Sequence, residues 1–277
     1  MKVAFLFLTR GGLHAEELWA DFFRGVDPAQ FSLYAHTKAP PPPSSVLARW
    51  RIGEIVPTEW GSISLVHATL ALLRAAMVDE ANSKFVLLSE SCVPLYPFAR
   101  VHAELMKDER AWLMHSVTPP WMVHQKGPTR EFLRWSKRLE PVVPAPASLL
   151  KQQQWMAVTR PLAQLFLQPG ADYTALWDGG LFAPDEHYFV NVVAHELRRA
   201  GGVPVGAGAA EVLDRVALNR RLTHVEWGQV GNGRAPLKLA AVTDELAGRA
   251  RAEGCLFLRK VAPGADLAQL RAGWARI

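Results

Sequence analysis

Val3-Ala4-Phe5-Leu6-Phe7-Leu8-Thr9-Arg10 opens the chain with an apolar run that has no polar alternation. A strand with one wet face alternates apolar and polar side chains, whereas a strand covered on both faces does not. The run therefore reads as a buried strand of a mostly parallel sheet. Phe85-Val86-Leu87-Leu88-Ser89 repeats the pattern, and Phe31–His36 supplies a third strand between them. The intervals carry apolar residues at helical spacing over Ala15–Phe23 and Ser64–Met77. Strand, helix, strand, helix, strand is the βαβ alternation of an α/β domain. Ligands of open α/β sheets bind beyond the carboxyl ends of the strands, which singles out Thr9-Arg10, His36-Thr37 and Ser89-Glu90-Ser91.

Outward from this frame, Pro40 to Pro43 with Ser44-Ser45 reads as an extended surface connection inside one domain, because the α/β pattern resumes after it. Thr118–Ser148 is rich in proline, basic and aromatic residues, including the Arg130 to Arg138 concentration. It reads as a long irregular segment, which in a compact domain is usually functional or mobile. Strands are then expected at Trp155–Thr159, Thr223–Trp227 and Cys255–Arg259, and helices at Pro161–Leu167, Glu186–Arg199, Thr243–Glu253 and Asp266–Trp274. Glycine-rich loops are expected at Gly201–Gly208 and Gly228–Gly233.

An apolar fraction of 49% over 277 residues is ample for a core. A net charge of +5 suits anionic ligands such as nucleotide diphosphates, but equally nucleic acid or membrane headgroups. The two cysteines, Cys92 and Cys255, sit in or beside strand-like runs and read as two buried thiols. They exclude a disulfide scaffold and a zinc site built on cysteines. No apolar run reaches the length of a membrane span, and the first strand is too short for a signal peptide. Serine-hydrolase elbow, zinc-protease helix and P-loop motifs are all missing, which excludes the simplest forms of those chemistries.

Ala183-Pro184-Asp185-Glu186-His187-Tyr188-Phe189 places two adjacent carboxylates at the start of an amphipathic helix. One reading is a capping Asp185 followed by a first-turn Glu186 that offsets the helix dipole. The other is a general base at Glu186, strengthened where a bound substrate desolvates it.

Taken together, and in the same order, Val3–Arg10, Phe85–Leu95, the Trp155 segment, Pro184–Tyr188 and Leu222–Trp227 resemble the core-2/I-branching glycosyltransferases. The likeness is to the plant and algal branch of glycosyltransferase family 14 and runs from about Val3 to about Val261. It implies a mixed, mostly parallel sheet in the A-type nucleotide-diphospho-sugar transferase fold. A single domain would span residues 1–277, with a nucleotide-sugar-binding half over about 1–115 and an acceptor and catalytic half over about 116–277. It further implies inverting transfer of a sugar, most simply N-acetylglucosamine, from a uridine diphosphate donor to a glycan hydroxyl, with Glu186 as general base.

The same resemblance assigns the remaining roles. Thr9, Arg10 and His36 would line the uridine, and Gly61, in Glu59-Trp60-Gly61-Ser62, would sit at a helix start near the same site. Ser89, Glu90 and Ser91 would position donor hydroxyls, and Lys260 with Arg259 or Lys238 would hold the diphosphate. Trp227 would stack on the acceptor, with Glu226, Trp155 and Asp185 beside it. The sequence has no Asp-x-Asp, the motif on which many such enzymes hold a divalent ion. The resemblance therefore implies metal-independent chemistry without a cofactor, basic side chains taking the ion's place. The partners expected are a nucleotide sugar and a glycan or glycoprotein acceptor, and no nucleic acid. Members of the family are usually anchored in the Golgi membrane and work in the lumen, and an anchor would lie outside this chain. A non-catalytic carbohydrate-binding relative would differ in whether Glu186 and Lys260 face one cleft. A nucleic-acid-binding protein would instead need a continuous Lys/Arg face.

Overall fold

A computed structural model describes residues 1–127, 131–201, 208–230 and 233–277. Arg130 and parts of both expected glycine-rich loops, 202–207 and 231–232, lie outside the described residues.

The first part of the chain runs β1 (Lys2–Thr9), α1 (Glu16–Phe23), β2 (Phe31–Thr37), α2 (Ser64–Met77), β3 (Asn82–Ser89), β4 (Val93–Pro94), α3 (Phe98–Met106) and β5 (Ala111–Trp112). There follow β6 (His115–Val117), α4 (Pro120–Val123), β7 (His124–Lys126), β8 (Glu131–Leu133), β9 (Leu150–Gln152), β10 (Ala157–Thr159), α5 (Arg160–Leu167) and α6 (Thr174–Trp177). The last part holds a 3₁₀ turn (Pro184–Glu186), α7 (Tyr188–Arg199), α8 (Ala209–Leu213), β11 (Ala217–Leu218), β12 (Thr223–Val225), β13 (Trp227–Val230) and β14 (Gly233–Pro236). It closes with β15 (Leu239–Ala241), α9 (Asp244–Ala252), β16 (Phe257–Arg259), β17 (Val261–Asp266) and α10 (Ala268–Trp274).

The main sheet has six strands in the order β11-β5-β10-β3-β1-β2. β1 pairs in parallel with both β2 and β3, and β10 pairs antiparallel to β3, so the sheet is mixed with a parallel centre. Every residue of β1 after Lys2 is buried, as an apolar run without alternation requires. On one side, α1 turns Leu18, Trp19 and Phe22 inward, and Trp19 meets Phe7 edge-on at 5.0 Å. Burying an aromatic of this size contributes about 1.5–3 kcal/mol. The buried apolar cluster is continuous from Val3 to Leu270 and includes Cys92 and Cys255 as free thiols. Among the described residues, no helix is long and apolar enough to cross a membrane.

Three sequence expectations are corrected. The helix expected from Glu186 begins at Tyr188, and Pro184–Glu186 is instead a 3₁₀ turn closed by Glu186 N–H to Ala183 O and His187 N–H to Pro184 O. The strand expected over Thr223–Trp227 ends at Val225, and the expected Gly228–Gly233 loop lies largely in a hairpin pairing Trp227 with Pro236 and Gly228 with Ala235. Thr118–Ser148 is less irregular than expected, holding α4, the β7–β8 hairpin and two 3₁₀ turns.

Candidate active site

Parallel register levels the carboxyl ends of the central strands, since Thr9 lies opposite Thr37 and Leu8 opposite Ser89. The turn that follows β3 is then fastened from two directions. His14 N–H donates to Glu90 O at 2.9 Å, and Val261 N–H donates to Ser91 O at 3.0 Å. His14 Nδ1 lies 2.8 Å from Val261 O and closes the triangle. β4, leaving the turn, pairs Val93 with Leu258 of β16, so Arg259 and Lys260 emerge beside Glu90. Leu239 N–H donates to Lys260 O at 2.9 Å, which brings Lys238 alongside.

The charges confirm this convergence of distant segments. The Lys260 ammonium is pushed below its usual range first by burial, then by Arg259, Lys238 and Arg10, with Glu90 opposing. Arg259 is likewise lowered by burial and supported by Cys92, Glu90 and Glu186, and its guanidinium lies 4.5 Å above the Trp155 ring. Arg10, Glu90, Lys238, Arg259 and Lys260 therefore form one group, and Arg259 is the member that also feels Glu186.

Glu186 owes its placement to contacts that no local pattern reveals. Ala183 adopts a left-handed φ of 53°, costing about 1–2 kcal/mol for a residue with a Cβ, and its N–H is held by Gly61 O at 2.8 Å. Gly61 has its own reason to be glycine, since its φ is +75° and a Cβ there would come within 2.9 Å of the Phe182 ring. The turn presents a half-exposed Glu186, whose Oε2 lies 3.0 Å from Lys151 Nζ. Asp185 points inward and is 6% exposed, and burial followed by the charge of Glu186 raises its carboxyl to about 7.

Lys151 is carried by β9, which α7 grips at Leu150. His187 Nδ1 lies 2.8 Å from Leu150 O, Asn191 Nδ2 donates to the same oxygen at 2.9 Å, and Leu150 N–H donates to Asn191 Oδ1 at 3.1 Å. Burial lowers His187 to about 3, so the ring is neutral and Nδ1 carries the proton that Leu150 O accepts. On the other side, Arg134 sits 4.8 Å over the Phe182 ring and donates to Met122 O at 2.7 Å. Burial lowers Arg134, and Glu186 opposes that shift. Phe182 also packs edge-on against Phe132 at 4.5 Å and the exposed Trp60 at 5.4 Å. Lys151, Arg134, Phe182 and Asn191 were not among the sequence candidates. The one available signal was His187 and Asn191 at i, i+4 on one helix face.

Several candidates lie behind the surface. His36 is fully buried, with Val56 N–H donating to its Nε2 at 2.9 Å, so it fixes the segment after β2. Thr9 Oγ1 donates to Gly11 O at 2.6 Å. The buried hydroxyls of Ser89 and Ser91 are 3.1 Å apart, and Ser89 also contacts Cys92 Sγ at 3.2 Å. They shape the turn, and Glu90 is its half-exposed member. Trp155, at 6% exposure, lies beneath Arg259 and not at the surface. Glu226 engages His224 at 3.0 Å and Arg249 at 3.5 Å, while Trp227 next to it is half-exposed.

A sheet with a parallel centre, whose carboxyl edge gathers cations around Lys260 beside Glu90, with Glu186 in the field of Arg259, is consistent with a nucleotide-sugar transferase fold. The chain belongs to the core-2/I-branching enzyme family, whose family model, Core-2/I-Branching enzyme, matches residues 3–249. It is similar to Glycosyltransferase BC10 of Oryza sativa subsp. japonica, with 26% identity over 260 residues that cover 82% of this chain. The match takes in 57% of that relative, so this chain corresponds to little more than half of its length. The crystal structure of A197 from STIV aligns with 61% of this chain and 70% of its own, at 10% identity and a TM-score of 0.29, a likeness too slight to carry an argument.

Proposed function

We propose that the chain is an inverting glycosyltransferase that moves a sugar, N-acetylglucosamine in the simplest case, from a uridine diphosphate donor to a glycan hydroxyl without a divalent metal. The observation that carries this reading is the gathering of Arg10, Lys238 and Arg259 around Lys260, with Glu90 beside Lys260 and Arg259 and with Arg259 also in the field of Glu186. In the proposed step the acceptor oxygen attacks the anomeric carbon and passes its proton to Glu186. The bond from that carbon to the diphosphate breaks, and the charge left on the diphosphate falls among the clustered cations. Lys151 holds the Glu186 carboxylate in its 3.0 Å ion pair until the acceptor hydroxyl competes for it. Trp60, exposed and packed edge-on against Phe182, offers an aromatic face to the acceptor near the Glu186 turn. Family membership favours work in the secretory lumen, and a nucleotide sugar and a glycan are the partners proposed.

Glu186→Gln tests the proposal, because it keeps the shape of the side chain and removes the proton acceptor. Turnover with a productive donor and acceptor should fall by roughly 10²–10⁴ while donor affinity changes little. A Gln variant with near-normal turnover would remove Glu186 from the mechanism. Donor binding without turnover in the unmodified chain would instead support a non-catalytic carbohydrate-binding relative.

A further inference from the structure

In the last third of the chain three side chains of metal-binding type meet: His224 of β12, Glu253 at the end of α9, and Cys255 leading into β16. One ligand atom from each lies within 4.8 Å of the other two, and His224 Nδ1 is 3.0 Å from Glu253 Oε2. His224 and Cys255 are buried, whereas Glu253 is open to solvent. The opposite nitrogen of His224, Nε2, is 3.0 Å from Glu226 Oε2. Without a metal both ring nitrogens thus face carboxylates; with one, Nδ1 would turn from Glu253 Oε2 to the ion while Nε2 keeps donating to Glu226, the usual hold on a ligating histidine. Two cysteines cannot make a cysteine-built site, but a single thiolate with an imidazole and a carboxylate makes a mixed one of the softness zinc prefers.

The helix end favours a cation here, and Arg221 and Arg220 are the ones already beside Cys255. Glu253 caps the carboxyl end of α9, where the helix dipole is negative. Zinc bonds of about 2.0–2.3 Å place tetrahedral ligand atoms roughly 3.3–3.8 Å apart, so His224 Nδ1 and Glu253 Oε2 need to part slightly from 3.0 Å while the widest pair, within 4.8 Å, closes by about 1–1.5 Å at most. Arg221, 3.4 Å from Glu253 Oε2, occupies that oxygen when no metal does. Glu253 and Cys255 lie beyond residue 249, where the family match ends, so the trio is not contained in the matched region.

We propose that His224, Glu253 and Cys255 bind one zinc ion, with water in the fourth position on the open Glu253 side. Burial pushes the Cys255 thiol up to about 12 in the metal-free protein, and binding releases its proton to solvent as the sulfur–zinc bond forms. The ion would tie β12 to the turn between α9 and β16. β12 leads directly into Glu226-Trp227, and β16 ends at Arg259-Lys260, so the tie sets the spacing of those two segments. This role is structural and separate from donor chemistry.

The test is a zinc titration of the metal-depleted full chain, read by competition with a chromophoric chelator and by melting temperature, with cobalt as a spectroscopic substitute. One zinc per chain with a Kd below about 1 µM, a raised melting temperature and a thiolate-to-cobalt charge-transfer band are expected. Glu253→Gln, at an exposed position, should weaken zinc binding by about tenfold or more, and Glu226→Gln by about 10–100-fold. Cys255→Ser should abolish the charge-transfer band, and Cys92→Ser should leave the stoichiometry at one. Substoichiometric zinc, or unchanged affinity in Glu253→Gln and Cys255→Ser, would overturn the proposal. None of these readouts depends on glycosyl transfer, so the zinc site and the transferase reading stand or fall separately.

Discussion

Asp185 and His187 flank Glu186 and titrate against each other. Burial raises Asp185 to about 7, above the roughly 3.9 of an unfolded chain, so its contribution to stability is complete below pH 4 and is lost as pH rises toward 7. Burial lowers His187 to about 3, below its unfolded 6.5, so its contribution is present above pH 6.5 and is lost as pH falls toward 3. Between about pH 4 and 6.5 the two slopes, each about 1.4 kcal/mol per unit, have opposite signs and cancel. Asp185→Asn removes one of them. Relative to the unmodified chain, the variant should lose stability steadily as pH is lowered across that window, in urea unfolding at a series of pH values. Parallel profiles for the two proteins would show that Asp185 is ionised in the fold.

At the scale of elements, the grip of α7 on β9 decides where Lys151 stands. Asn191 is 3% exposed, and its side-chain amide bonds both Leu150 O and Leu150 N–H. Asn191→Leu keeps a similar volume and strips both bonds, at a cost of about 1–3 kcal/mol for the unpaired backbone groups. Unfolding midpoints should fall accordingly, and turnover should fall further than nucleotide affinity, because β9 reaches Glu186 and not the cations. Equal losses in the two would deny β9 a role in placing the base. The elements divide by how local their causes are. α2 was legible as Ser64–Met77 from apolar spacing alone, and β1 and β3 from unbroken apolar runs, because burial on a sheet face imprints the sequence directly. The turn at Pro184–Glu186 was read as a helix start, because its geometry is set by Ala183 bonding Gly61, which belongs to the other half of the chain. Gly228 was read as loop, yet it sits in a strand where a Cβ would meet Leu237 at 2.4 Å, so its glycine admits a side chain and does not turn the backbone. Of the proposed site, the family resemblance names Glu186, Glu90, Arg259 and Lys260. It does not name Lys151, Arg134 and Phe182, since each is defined by a neighbour distant in sequence.

Over the whole molecule, the cations gathered around Lys260, beside Glu90, come from the end of β1, the lead into β15 and the end of β16, and no single segment carries more than two of them. A net charge of +5 is modest, and the proposed diphosphate site rests on where four of the charges are placed. Lys260 is the most informative to remove, because burial and its cationic neighbours already press its ammonium toward neutrality. A bound diphosphate would relieve that pressure, so the attraction at Lys260 is gained only when the ligand is present. Lys260→Ala should therefore weaken uridine diphosphate by about tenfold or more, as expected for a lost charged hydrogen bond, and leave uridine nearly unaffected. Isothermal titration with the two ligands separates the outcomes: equal weakening of both would point to a damaged pocket, and no weakening would place the diphosphate elsewhere. With zinc supplied throughout, added Mg²⁺ or Mn²⁺ should change turnover by less than about twofold if the cations do the work of a bridging ion. A Mn²⁺-driven rise of an order of magnitude would make Glu90 a metal ligand and the surrounding lysines and arginines its competitors.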